Sequence, residues 1–159
     1  MPARRKSRQR ALQVLYMSDL CGMPVQDALQ VFSDHLYFAE REEESGEDIV
    51  RDPELDAFME TLATGTAANQ PELDAKIAEH AEHWRLERMP RVDRCILRMA
   101  VFEMRDIGTP PPVVIDEALE LARRYTGEEA IPFLNGVLDA IRKSLYPADA
   151  PRGSAAQSG

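Results

Sequence analysis

Apolar side chains recur at three- and four-residue steps along nearly the whole of this 159-residue chain. That spacing is typical of amphipathic α-helices, whereas half-buried strands alternate apolar and polar residues. Sustained alternation is not found in the sequence, and β-branched residues are sparse except at positions 113–115. The pattern therefore predicts an all-α fold.

Glycines and prolines divide the pattern into about seven helices. The predicted ranges are 3–21, 24–40, 53–69, 71–84, 90–106, 113–125 and 128–146. The fifth is apolar on most sides, so we expect it at the centre of the protein. The prolines at 110–112 predict a stiff, extended linker before the sixth helix. Gly65, inside the third helix, indicates either a close helix approach or an early helix end.

Length and composition predict one compact domain, because a chain of about 150 residues is long enough to bury a hydrophobic core. We assign the domain to residues 1–146, a solvated acidic loop to 41–52 and a disordered tail to 147–159. No apolar run is long enough for a membrane span, and no signal peptide is recognised. Cys21 and Cys95 stand alone and are expected to be buried, inert thiols of a cytoplasmic protein.

Charge is unevenly distributed along the chain. The first ten residues, here called the basic arm, hold five positive charges and no acid: Arg4, Arg5, Lys6, Arg8 and Arg10. Removing these from the net charge of −9 leaves −14 for residues 11–159. Arginine-rich segments often fold against RNA, with guanidinium groups on phosphates. The alternative is a frayed N-terminus that only aids solubility.

Two further features extend the candidate interface. Gln13 and Tyr16 follow the basic arm on the same predicted helix and could contact bases, although Tyr16 could instead pack partly in the core. On the fifth helix, four arginines fall within a narrow arc: Arg91, Arg94, Arg98 and Arg105. With Asp93 beside them, these arginines predict one of two arrangements: a face that binds a partner, or ion pairs with acids of the same protein.

Residues for catalysis are few. The sequence has no glycine-rich phosphate loop, no nucleophile-elbow serine and no HExxH motif. His80 and His83 share a helix face without further metal ligands, and Asp116 with Glu117 suits a helix N-terminus. We therefore expect neither an enzyme nor a bound metal or cofactor.

Four segments resemble the NusB family of transcription antitermination factors, in the family's order and spacing across residues 3–146. They are Arg4-Arg5-x-x-Arg8 with Ala11-Leu12-Gln13-x-Leu15-Tyr16, Asp93-Arg94-x-Ile96-Leu97-Arg98, Pro111-x-Val113-Val114-Ile115-Asp116-Glu117-Ala118, and Phe133-Leu134-Asn135-Gly136-Val137-Leu138. The resemblance implies two small helical subdomains that bind the boxA element of ribosomal RNA leader transcripts together with NusE. It also implies assembly with RNA polymerase, NusA and NusG to suppress Rho-dependent termination.

The resemblance also implies roles for single residues. Arg4, Arg5, Lys6 and Arg8 would meet RNA, with Gln13 and Tyr16 nearby. Asp93 would face NusE or RNA, with Glu129 in the same neighbourhood. The triplet Leu134, Asn135 and Gly136 would be architectural, with Gly136 allowing close helix packing and Asn135 satisfying buried backbone groups. Charge reversal at Arg4, Arg5 and Arg8 is expected to abolish boxA binding without changing thermal unfolding.

The sequence departs from the family pattern at Asp116, usually Asn, at Pro132, and in the strongly acidic 41–52 loop. Two alternatives remain open. One is a self-associating protein whose basic arm is buried in a homodimer. The other is a stand-alone relative of the RNA-binding domain of ribosomal RNA methyltransferases, although the chain has no G-x-G-x-x-G segment for a methyl donor.

Overall fold

The computed structural model describes residues 2–43, 53–81 and 88–147, and these ranges contain seven α-helices and no strand. In chain order they are α1 (Pro2–Cys21), α2 (Val25–Glu43), α3 (Pro53–Ala68), α4 (Gln70–His80), α5 (Arg91–Phe102), α6 (Pro111–Tyr125) and α7 (Ile131–Leu145). A π-helix at Glu103–Ile107 prolongs α5, and a short 3₁₀ helix at Glu128–Ala130 precedes α7. The predicted all-α class is confirmed.

The expected linker at 110–112 is wrong, because α6 begins at Pro111. Proline is tolerated in the first turn of a helix, where its missing N–H would have no intrahelical partner. The carbonyl of Pro110 accepts hydrogen bonds from the N–H groups of Val113 at 3.0 Å and Val114 at 3.2 Å, which starts the helical ladder. Three consecutive prolines here mark a helix start.

Helix α5 lies at the centre of the fold, as its composition predicts. It packs against α1, α3, α4, α6 and α7, and α1 also packs along α2 and α3. Ile96, Leu97 and Val101 of α5 are fully buried, as are Leu62 of α3 and Leu138 of α7. The central position of α5 means that any charged side chain along it is either paired or costly.

Two helical glycines have opposite surroundings. A Cβ atom at Gly65 would clash with the ring of Phe102, so the glycine permits the close approach of α3 and α5. Of the two alternatives for Gly65, the close helix approach is the one found, and α3 continues to Ala68. A Cβ at Gly136 would meet nothing within 4 Å. Gly136 and Asn135 are exposed, so the expected packing and backbone-satisfying roles are wrong, whereas Leu134 is buried as expected.

Some predicted features lie outside the described residues: positions 44–52 of the acidic loop, 148–159 of the tail, and His83. Residues 41–43, assigned to the loop, belong to the end of α2. None of the helices in the described ranges is both long and apolar enough to cross a membrane.

Candidate nucleic-acid interface

Residues 2–10 of the basic arm form the first half of α1, and they lie against the protein core. Arg4, Arg5 and Lys6 are exposed, whereas Ser7 and Arg8 are buried. One turn later the same helix supplies fully buried core side chains such as Ala11 and Val14. The arm is therefore helical from Pro2 onward, and one side of it is occupied by the protein itself.

The side chain of Arg4 stacks on an aromatic ring of α3. Its guanidinium carbon lies 3.9 Å from the centroid of the Phe58 ring, and that of Arg8 lies 5.5 Å from the same centroid. A guanidinium above an aromatic face is attracted by the ring quadrupole. Arg4 is an exposed residue, so this contact leaves part of its side chain open to solvent.

Arg5 is held by α6. Its Nε donates to Oε2 of Glu117 at 3.1 Å, and its Nη2 donates to Oε1 at 3.0 Å. The Arg5 side chain is 55% exposed and that of Glu117 is 13% exposed. The hydrogen bond and the charge of Glu117 together raise the pKa of Arg5 above its ordinary value.

Arg8 is enclosed, although the sequence predicts it at the RNA surface. Only 5% of the residue is exposed, and its guanidinium forms a two-pronged ion pair with Glu103 of the π-helix. A reversed charge at position 8 would bring two carboxylates together in the core, so the expectation of unchanged thermal unfolding for that reversal has no physical basis. Arg8 anchors the arm from inside.

Further along α1, Gln13 links the helix to the end of α6. Its Nε2 donates to the hydroxyl of Tyr125 at 2.8 Å, and the Gln13 side chain remains exposed. Arg10 and Tyr16 are half-buried, so each divides its surface between the core and solvent. The exposed surface of α1 is therefore continuous, through Gln13 and Tyr125, with the C-terminal end of α6.

Two of the partner-binding candidates, Asp93 and Glu129, lie near that end. Asp93 is 5% exposed and its Oδ1 has no hydrogen-bond partner in the part of the chain that the structure describes. Burial raises the pKa of Asp93, and the nearby charge of Glu129 acts in the same direction. Glu129 is exposed, and Arg94 is half-buried with its Nη2 4.0 Å from Oδ2 of Asp19. Asp93 and Glu129 therefore share one neighbourhood, whereas Arg94 contacts Asp19 of α1.

The arginine stripe of α5 pairs within the protein. Arg91 bonds the side chain and the carbonyl of Asp19, and Arg98 bonds Asp74 through Nε and Nη2. Arg105, in the π-helix, pairs with Asp106 at 2.8 Å and Glu72 at 3.2 Å. Of the two readings offered by the sequence, these contacts favour internal pairing for the stripe.

The remaining chemical candidates have simpler roles. Burial raises the pKa of Cys95 to about 11, which suits an inert thiol, but Cys21 is exposed, so the expectation of burial is wrong there. Within the described ranges, no group of three or more His, Cys, Asp or Glu side chains is placed to hold a metal ion.

Sequence reasoning missed the residues that hold the arm: Phe58, Glu103, Glu117 and Tyr125. One signal was available for Glu103, since an acid within a helix that is apolar on most sides must be paired or exposed. Phe58 resembles any other core-facing position of α3. Contacts with partners about 50 to 110 positions away leave no local pattern.

Fold and site together define an all-α protein whose candidate interface is a helical basic arm packed against the core. Residues 5–143 match the sequence model of the NusB family. The chain is 50% identical over 151 residues to the transcription antitermination protein NusB of Solibacter usitatus (strain Ellin6076), covering 95% of this chain and 96% of the relative. The chain therefore belongs to the NusB family.

Solved structures agree with this assignment. T. maritima NusB superposes with a TM-score of 0.74 at 27% identity, covering 96% of each chain. A crystal structure of the antitermination factors NusB and NusE in complex with dsRNA gives a TM-score of 0.73 at 27% identity, covering 91% of this chain and 98% of the other.

Proposed function

We propose that this chain is a transcription antitermination factor. It binds the boxA element of ribosomal RNA leader transcripts together with NusE, and joins RNA polymerase, NusA and NusG to prevent premature Rho-dependent termination. It acts by binding in the cytoplasm and not as an enzyme. The observation that carries the proposal is the exposure of Arg4, Arg5 and Lys6 on a helix fixed to the core of a NusB family member.

The RNA path runs along α1. From position 4 to position 16 the helix rises about 18 Å, at 1.5 Å per residue, which is long enough to contact several nucleotides. The residues proposed to meet RNA are Arg4, Arg5, Lys6, Arg10, Gln13 and Tyr16. Arg8 supports them from inside, because its guanidinium is already engaged by Glu103.

NusE is proposed to dock where α5 begins and α6 ends. Glu129 is exposed and Arg94 is half-buried, so both can present a charge to a partner. The buried Asp93 lies near Glu129 and adds negative potential there. The acidic body of the chain, at −14 outside the arm, favours encounter with a basic ribosomal protein. It also opposes indiscriminate binding of nucleic acid away from the arm.

Binding of boxA RNA, measured with and without NusE, tests the proposal. The variant Arg4→Ala, Arg5→Ala, Lys6→Ala is expected to lose most RNA affinity, and the slope of log affinity against log salt should fall by about 2, at about 0.7 per phosphate contact for single strands. The matched control removes three positive charges from α4 and α7: Lys76→Ala, Arg142→Ala and Lys143→Ala. It is expected to bind as the unaltered chain does.

Both triple variants are expected to unfold within about 1–2 kcal/mol of the unaltered chain, since exposed ion pairs contribute little. Normal RNA binding by the arm variant would contradict the proposal. Sedimentation tests the homodimer alternative: a dimer unchanged by boxA RNA and by NusE would favour an arm buried between two copies.

A further inference from the structure

The ion pair between Arg5 and Glu117 occupies only one edge of the guanidinium group. A guanidinium has five N–H donors in a planar fork, and Glu117 takes the Nε–H and one N–H of Nη2. One N–H of Nη1 and the second N–H of Nη2 form the outer edge, and the remaining N–H of Nη1 points back towards Cδ. Among the residues that the structure describes, no further hydrogen bond of Arg5 is found, and its side chain is 55% exposed.

Helix α6 fixes the carboxylate that holds this edge. Glu117 is 13% exposed at its side chain, and the adjacent residue Ala118 is 2% exposed. An exposed arginine normally samples many rotamers and loses that freedom when it binds a ligand. In this chain a rigid element has already restricted Arg5 before any ligand arrives.

We infer that Glu117 is a positioning residue for RNA: it holds Arg5 by the Nε edge and presents the outer Nη edge to a phosphate. The inference rests on the proposed function. Two parallel N–H···O bonds to a phosphate need a guanidinium in a defined orientation, and Glu117 supplies that orientation. Glu117 itself does not touch the RNA.

The opposite role, a carboxylate that competes with phosphate for Arg5, is distinguishable. A competitor must be displaced, so its removal tightens RNA binding. A positioning residue stays in place, so its removal weakens binding, and only while Arg5 is present. The open outer edge of Arg5 favours the positioning role, because a phosphate can be accepted there without breaking the pair with Glu117.

A double-mutant cycle on the full chain tests the inference, with boxA RNA as the probe. Glu117→Ala is expected to weaken RNA binding about 3- to 10-fold, in the range of measured couplings between contacting residues. In the Arg5→Ala background the same change is expected to have no effect. Glu117→Gln, which keeps an oxygen that can accept from Nε, is expected to recover part of the affinity.

Asp116→Ala is the matched control, since Asp116 is an exposed acid on the same turn of α6 and its removal changes the net charge equally. It is expected to leave RNA affinity unchanged or slightly raised. Tighter binding by Glu117→Ala, or an equal loss with and without Arg5, would overturn the inference while the proposed function stands. Failure of the unaltered chain to bind RNA would contradict both.

Discussion

Arg8 of α1 and Glu103 of the π-helix form a buried, two-pronged ion pair, with Nε to Oε1 at 2.8 Å and Nη2 to Oε2 at 2.5 Å. The two side chains are 6% and 2% exposed. Arg8, in the middle of the basic arm, is thus buried in the core. Together with the buried apolar side chains of α1, the pair orients the helix so that Arg4 and Arg5 face solvent and Arg8 does not.

Removing one partner of this pair should destabilise the fold strongly. Arg8→Ala or Glu103→Ala is expected to lower the free energy of unfolding by about 3–5 kcal/mol, because an uncompensated charge stays buried. Replacing both partners, by Arg8→Met with Glu103→Leu, is expected to cost far less. Urea denaturation measures both, and a loss below about 1 kcal/mol for Arg8→Ala would disprove the buried pairing.

Alanine at the two helical glycines should have opposite effects. Gly65→Ala places a methyl group against the Phe102 ring and is expected to destabilise by about 1–3 kcal/mol, as overpacking does. Gly136→Ala meets no neighbour and gains helix propensity, so it is expected to stabilise by up to about 1 kcal/mol. Urea midpoints that shift in the same direction for both variants would refute the packing difference.

The buried Asp93 should give stability a pH dependence. Since burial raises its folded-state pKa above the ordinary 3.8, the folded protein binds more protons than the unfolded chain between those two pKa values. The contribution of Asp93 to the free energy of unfolding therefore falls as pH rises through that window.

Asp93→Asn removes this contribution. Relative to the unaltered chain, its stability is expected to be highest at pH 7 and to decline as pH is lowered through the window. Asp116→Asn, at an exposed position, is the control. Parallel curves of unfolding free energy against pH for Asp93→Asn and the unaltered chain would contradict the shift.

The Phe58 ring should contribute to RNA affinity because the guanidinium of Arg4 lies over it. Phe58→Leu keeps an apolar side chain but removes the ring face, and a cation–π contact at an exposed site contributes about 0.5–1 kcal/mol. We therefore expect about a 2- to 5-fold loss in boxA affinity. Phe32→Leu, which removes an aromatic ring from α2, should leave affinity unchanged, and an equal loss in both variants would argue against a role for stacking.

Periodicity was sufficient to predict the seven helices, because burying one helix face imposes a 3.6-residue repeat on the sequence. It could not separate Arg8 from Arg4 and Arg5. All three are arginines on one helix, and what distinguishes Arg8 is an acid 95 positions away. The family resemblance placed the interface on α1, but the rotation of α1 depends on tertiary contacts.

The same limit explains the glycines and prolines. Gly65 and Gly136 look alike in the sequence, and only the distance to Phe102 separates a packing requirement from an exposed position. The prolines at 110–112 are compatible with an extended linker and with a helix N-terminus. Helix α6 begins there because the apolar positions that follow, including Val114 and Ala118, are buried on one helix face.

Helix α1 runs from Pro2 to Cys21 without a joint between its charged first half and its buried second half. A ligand that binds this helix only in the folded protein stabilises the fold, and RNA at a hundred times its Kd would add about 2.7 kcal/mol to the free energy of unfolding. Substitutions that loosen the packing of α1 will therefore resemble RNA-binding defects in cells grown at raised temperature. Saturating RNA should restore the folded state of such variants.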